Sequence, residues 1–256
     1  DIAPGTGDAS YSTSPIASGM PLFNQSGAAA YVGSMLVGSG TPPVAITSGS
    51  NNSSAIFIGT GDNSGGANPN VTPVVRGTDW FAGLGGTSAD TKVSTFSQGT
   101  MAFNGNGHYV VSSTLQGSAI VTGTGATSNS VAIISNRSGS NDVIARVGNA
   151  APDATGAASL DVYRSLSTSS IGLNNLGHVA FTSSLRQGAT QTVASALFTD
   201  AGTGTLRRLA GSNDPVGNVY AISDNTVPLA EFAGLNYSAT ATFATALLNH
   251  NDQLLY

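Results

Sequence analysis

Asn174-Asn-Leu-Gly177-His-Val-Ala180-Phe181 decides the fold, because it reads as a turn that runs straight into a strand. Asn tolerates left-handed geometry and hydrogen-bonds nearby backbone, Gly three residues on supplies a positive φ, and an extended apolar run follows. The template recurs at Asn24-Gln-Ser-Gly27-Ala-Ala-Ala30-Tyr31, Asn104-Gly-Asn-Gly107-His-Tyr-Val110-Val111 and Asn249-His-Asn-Asp252-Gln-Leu-Leu255-Tyr256. An apolar residue precedes each copy: Phe23, Phe103, Leu173 and Leu248. Four copies spread from Asn24 to Asn249 make this an internal repeat that organises nearly the whole chain.

Each copy opens a series of four short apolar segments, A to D. Segment A is the run after the turn. Segment B follows at Ala55–Ile58, Val131–Ile134 and Ala196–Phe198, and segment C at Val74-Val75, Val143–Ala145 and Leu206–Leu209. A further turn recurs at Gly148–Pro152 and Gly211–Pro215, more loosely at Gly77–Asp79 and Gly5–Asp8. Segment D closes the series at Lys92–Phe96, Leu160–Leu166 and Glu231–Tyr237. Short strands joined in sequence by turns form antiparallel meanders, and repeated meanders predict an all-β fold of propeller-like blades. The expected organisation is one β-repeat domain over 1–256. It has three full units starting near Asn24, Asn104 and Asn174, plus a split unit from 1–22 and 248–256. Blades of common propellers take ~40 to 50 residues, so the longer units here predict long loops at Gly38–Ser54, Gly59–Thr72 and Gly188–Ala194.

Composition agrees with strands and turns. Of 256 residues only 8% are charged, against roughly a quarter in an ordinary soluble domain. Gly numbers 33, Ser and Thr together 61, Lys92 is the only lysine and Glu231 the only glutamate, so exposed helix formers are nearly missing. A net charge of -5 with eight scattered cations offers no basic stripe for nucleic acid. No apolar run approaches the ~20 residues of a membrane-spanning helix. Cysteine is absent, which removes disulfides, thiolate zinc sites and cysteine nucleophiles. A chain opening at Asp1 fits a mature secreted protein.

The repeated motif resembles the tandem N-x-x-G-x-x-A-F family of secreted bacterial β-repeat proteins, which end in interchangeable anchoring signals such as the PEP-CTERM type. Asn174–Phe181 matches in full, Asn24–Tyr31 nearly so, Asn104–Val111 keeps Asn and Gly, and Asn249–Tyr256 has Asp252 in place of Gly. The resemblance implies an extracellular or surface-tethered repeat protein with propeller-like blades and no catalytic residues.

The two extremities read as complementary fragments of one unit, so one copy can complete the sheet of the next. Gln253, Leu254, Leu255 and Tyr256 would add as a strand to the N-terminal segment of Ile2 and Tyr11, with the turn residues Asn24, Gly27, Asn104, Gly107, Asn174, Gly177, Asn249 and Asp252 fixing register. Such a heterologous contact does not close and builds a filament. With so few charges the sheet edges are undefended. The expected function is therefore an extracellular structural subunit whose partner is itself. The alternative is a monomeric, cell-surface glycan-binding module with Trp80 as its contact.

Other constellations give little chemistry. His108 and His178 share one repeat position and His250 does not, so the repeat itself accounts for the pair. Asp62–Gly66, Asn213-Asp214 and Asp224-Asn225 are candidate calcium loops without EF-hand spacing, and no other cofactor is expected. With a single Glu and no Gly-x-Ser-x-Gly elbow, no catalytic residue is nominated and the protein is not expected to be an enzyme. N-glycosylation sequons stand at Asn24, Asn51, Asn52, Asn70, Asn136 and Asn236.

Overall fold

The structure is a computed structural model and describes residues 11–16, 20–36, 53–60, 71–122, 127–166, 171–212, 214, 247–248 and 254–255. Among them the fold is all-β. Among the described residues the only helical elements are single 3-10 turns at Ala82–Leu84 and Gln98–Thr100.

The strands gather into antiparallel sheets. In the first, β1 (Tyr11–Ile16), β3 (Ala28–Met35), β4 (Ser54–Thr60) and β5 (Val71–Arg76) lie in that order, with the short β2 (Leu22–Phe23) also paired to β3. The second runs β10 (Asp142–Arg146), β9 (Val131–Ser135), β8 (Tyr109–Gln116), β6 (Lys92–Phe96), with β7 (Ala102–Phe103) beside β8. The third orders β11 (Ala150–Pro152), β12 (Ala158–Leu166), β14 (Val179–Gln187), β15 (Thr190–Thr199) and β16 (Arg207–Gly211), with β13 (Gly172–Leu173) beside β14. A two-stranded hairpin of β17 (Leu247–Leu248) and β18 (Leu254–Leu255) follows. The meanders and propeller-like blades expected from the motif are present.

Segments A, B and C are β3, β4, β5, then β8, β9, β10, then β14, β15, β16. Segment D gives β6 and β12, while Glu231–Tyr237 lies outside the described residues. The phase of the repeat differs from the sequence reading. Each sheet runs D-A-B-C, so a D segment joins the motif that follows it. Of residues 1–22, Tyr11–Ile16 and Leu22 accordingly belong to the first sheet: β1 takes the D place, with Tyr11 opposite Met35 and Ile16 opposite Gly33. The reason lies in register. D and the short strand before the motif share one edge of A as a single interrupted neighbour. β7 covers Tyr109 and Val110, and β6 covers Ser113 to Gln116. β13 covers Val179 and Ala180, and β12 covers Ser183 to Arg186.

The same register sets the last hairpin. Leu247 opposes Leu255 and Leu248 opposes Leu254, as Leu22 opposes Ala30 and Phe23 opposes Ala29. Counted from Asn249 and Asn24 the pairs are identical. One long loop is corrected: Gly188–Ala194 is mostly strand. Gln187 pairs Thr190 across a two-residue turn, and Gly188 at φ 58° supplies the positive φ that a tight hairpin needs. Residues 37–52 and 61–70, which hold most of the other two expected loops, lie outside the described residues.

Two compact units divide the chain, residues 1–120 with 134–143, and residues 121–133 with 144–256. In the first, Ala30, Val32, Ile56, Phe57, Val75, Val93, Val110 and Val111 are buried, and Tyr31 stacks on Phe57 with ring centroids 5.4 Å apart. Two amides, the buried Gln98 and the half-buried Asn141, add direction to this apolar core. Gln98 accepts from Val32 N at 2.5 Å and donates to Met20 O at 3.2 Å. Asn141 accepts the Tyr109 hydroxyl at 2.6 Å and donates to Val74 O at 2.9 Å. In the second unit Phe181 and Phe198 face each other across β14 and β15 with centroids 5.4 Å apart, and Tyr163 meets Phe198 edge-on at 5.2 Å. A fully buried aromatic of this kind contributes about 1.5–3 kcal/mol.

The two buried tyrosines differ in one respect. Tyr109 has a partner for its hydroxyl, whereas Tyr163 Oη is buried without one among the described residues. Tyr109→Phe should cost about 1–3 kcal/mol because it strands the Asn141 carbonyl, while Tyr163→Phe should be neutral or stabilising. Urea unfolding of the two variants against wild type checks the contrast.

Candidate functional site

The Asn-x-x-Gly turn is built the same way wherever it is described. Asn24, Asn104 and Asn174 each turn the side-chain Oδ1 back on the local backbone, accepting from the amides two and four residues ahead at 2.9–3.1 Å. The backbone N of each Asn donates to the carbonyl four residues on, and the turn Gly donates back to the Asn carbonyl. Gly27, Gly107 and Gly177 hold φ of 79°, 82° and 86°, a region closed to most side chains. Local bonding thus uses one end of the amide. In the first unit the other end is also used: Asn24 Nδ2 donates to Asn104 O at 3.0 Å, linking the turns of successive repeats.

Two features of this device escape the motif. Asp153-Ala-Thr-Gly156, between β11 and β12, makes the same turn with a carboxylate as acceptor: Thr155 N and Ala157 N donate to Asp153 Oδ1, and Gly156 has φ 90°. The signal was an Asp-x-x-Gly before an extended run. The second is a clamp at the end of segment B. Ser135 Oγ donates to Tyr109 O at 2.6 Å while Asn136 Oδ1 accepts from Tyr109 N at 2.7 Å. Thr199 Oγ1 and Asp200 Oδ1 do the same to Val179, at 2.8 and 2.7 Å. A hydroxyl followed by an Asx therefore fixes the first residue of segment A from the neighbouring strand.

Trp80 stands in a different setting, the connection from β5 to β6. It is 42% exposed, and its Nε1 donates to Gly85 O at 3.4 Å. Leu84 is the buried anchor of this loop, and Gly83 lies so close to Asp142 that a Cβ there would displace its carboxylate. Asp90 ties the far end through Thr87 N, Thr87 Oγ1 and Ser118 Oγ, bonds that hold its carboxyl below the usual range, the Thr87 hydroxyl foremost. At the near end Thr78 has φ 81°, the one non-glycine with positive φ among the described residues. A β-branched residue there is strained. Asp79 beside it accepts from Arg76 N at 2.7 Å, and its burial pushes the carboxyl above its ordinary value despite that bond and the Arg76 charge.

The remaining candidates are dispersed. His108 and His178 enter their turns through backbone, each N–H donating to the motif Asn at 2.9 Å, and His250 lies outside the described residues. Asp214 is engaged by Arg208 Nη2 at 3.2 Å. Asp62–Gly66, Asn213 and Asp224-Asn225 are outside the description, and among the described residues no group of three or more metal-ligating side chains gathers. Of the sequons, Asn24 and Asn136 have side chains committed to the fold, whereas Asn51, Asn52, Asn70 and Asn236 lie outside. Of the strand-addition residues, Tyr11, Leu254 and Leu255 are in strands, and Ile2, Gln253, Tyr256 and the turn Asn249–Asp252 are not described.

Against known families, a family of unknown function, DUF7453, matches over residues 68–254. The chain belongs to the DUF7453 family. The DUF7453 match takes in the second and third sheets and the β17–β18 hairpin as far as Leu254. It therefore contains the Trp80 loop and three copies of the turn motif. No curated protein and no solved structure matches the chain.

Two tests follow from this geometry. Asn174→Ala removes the acceptor of two backbone amides and should cost about 2 kcal/mol in urea unfolding. Asn174→Asp, which retains the acceptor as Asp153 does, should lose far less. Asp79 gives a pH signature. With its pKa raised by folding, the folded state keeps this proton to higher pH than the unfolded chain does, so Asp79 erodes stability as pH rises through and above the ordinary carboxylate range. Asp79→Asn should match wild type near pH 3 and exceed it at pH 7; a difference independent of pH would refute the assignment.

Proposed function

We propose that this protein is an extracellular structural β-repeat protein that assembles with copies of itself by strand addition at the edge of β1. The observation that carries this reading is the chemistry of that edge. Unpaired edges invite another strand unless charges, proline or short length protect them. β1, Tyr11-Ser-Thr-Ser-Pro-Ile16, has no charged residue, carries its one proline next to its end so that Tyr11–Ser14 have neither charge nor proline, and is the last strand of its sheet among the described residues. The other terminal strands differ. Arg76 lies in β5, Lys92 in β6, Asp142 and Arg146 in β10, and Arg207 and Arg208 in β16, while β11 is three residues long and ends on Pro152.

Strand addition supplies affinity through backbone hydrogen bonds and specificity through alternate side chains. The donor in this reading is the segment of Leu254 and Leu255, which pairs with β17 along one edge. A junction between two different surfaces propagates, so the product is a filament or matrix. Low charge and a surface of hydroxyls and amides suit a protein that works packed against its own copies. The resemblance to anchored β-repeat proteins supports a role outside the cell.

Light scattering and electron microscopy test the reading directly. Wild-type protein should form particles far above its 25.4 kDa mass. Ser12→Lys with Ser14→Lys should return it to folded monomers, and deletion of 249–256 should do the same by removing the donor. A wild type that stays monomeric at high concentration, or assemblies indifferent to the lysines, would sink the proposal.

A further inference from the structure

We propose that the loop from Trp80 to Ala89 is a binding site for neutral carbohydrate, a property independent of self-assembly. The loop is an elaboration that the repeat does not need. At the corresponding point after β10, Gly148 N donates to Tyr163 O and Tyr163 N to Asn149 O. After β5, Thr78 N donates to Val93 O and Val93 N to Asp79 O in the same pattern. The repeat thus closes equally well in both places. Between them the second connection forms the ordinary strand β11 and its Asp153 turn, whereas the first projects Trp80 and a run of exposed residues at 82–83 and 85–89.

Strain marks the same place. Gly148 takes φ 88° without cost, but the equivalent Thr78 takes φ 81° with a β-branched side chain. Backbone strain of this kind persists only where the surroundings enforce it. Here they do: the Arg76–Asp79 bond on one side and the Asp90–Thr87–Ser118 bonds on the other clamp both ends of the loop. The exposed indole therefore stands on a braced loop and is tied to it through Nε1 to Gly85 O, which lowers the entropy lost on binding.

Chemistry selects the ligand. Both carboxylates of the loop, Asp79 and Asp90, are spent on internal bonds, and 80–89 contains no charged residue. An anionic ligand such as a phosphate or acidic peptide would find no cation there. What the loop offers is an aromatic face with a polar rim, the exposed small residues Ala82, Gly83, Gly85, Gly86 and Ala89 that leave backbone groups accessible, and the hydroxyl of Ser88. A sugar ring matches this closely: its apolar C–H face stacks on an indole, and its hydroxyls exchange hydrogen bonds with backbone and side-chain oxygens.

Trp80 is the only tryptophan in the chain, so its fluorescence reports this site alone. A printed array of neutral and acidic glycans would identify binders, and the best neutral oligosaccharide would then be titrated. The expected result is saturable quenching or a blue shift of the emission. Calorimetry should show at least a tenfold weaker affinity for Trp80→Ala and an intermediate one for Trp80→Phe. Light scattering of Trp80→Ala should match wild type, which separates this proposal from the assembly reading. No neutral glycan bound on the array, or equal affinity in Trp80→Ala, would overturn it.

Discussion

One side-chain carbonyl governs this architecture. In each described motif the Asn Oδ1 gathers two backbone amides that would otherwise point away from any strand partner, and a Gly with positive φ lets the chain reverse around it. With the turn closed, the residue four or five positions on is committed to be the first of an extended run. Because side chains alternate along a strand, fixing where it starts fixes which residues are buried. Ala30 and Val32 go inward for that reason. The Ser-Asn and Thr-Asp clamps reinforce the decision from segment B, holding the N–H and C=O of Tyr109 and Val179 from the neighbouring strand.

Apolar burial then supplies cohesion, and amides supply specificity. Hydrophobic contact is non-directional, so Ile56, Phe57 and Val93 could slide past one another at little cost. Gln98 and Asn141 cannot. Each bonds with both ends of its carboxamide, and each spans segments far apart in sequence, Gln98 to Met20 and Val32, Asn141 to Val74 and Tyr109. A slip of one residue would break both sets of bonds, and at the buried Gln98 the penalty of an unsatisfied amide exceeds the gain from any single such bond.

The strands were legible in the sequence because their cause is local. Segments A, B and C coincide with β3 to β5, β8 to β10 and β14 to β16, and the turn chemistry of Asn and Gly announces each A strand. Sheet membership was not legible, since the motif marks where A begins and is silent on which neighbour the preceding segment joins. That is why residues 1–22 read as a remnant while β1 in fact lies against β3. The hairpin at Gly188 was missed because polar residues 190–192 continue a strand that apolar patterning would have ended. The site followed the same division. Trp80 stood out as the only tryptophan. The strain at Thr78 was not legible, and the ties of the loop to Val93, Ser118 and Asp142 reach segments that no local pattern encodes.

The D-A-B-C phase has a consequence for how these chains can be divided. A cut placed at the motif Asn, where the periodicity of the sequence suggests it, separates a sheet from its own first strand and bares the edge of segment A. The natural seams lie instead in the connections after segment C, at residues 77–91 and 147–149. Shortened or recombined versions joined there would carry whole sheets, and lengthening or shortening in this lineage is most readily accommodated at those seams.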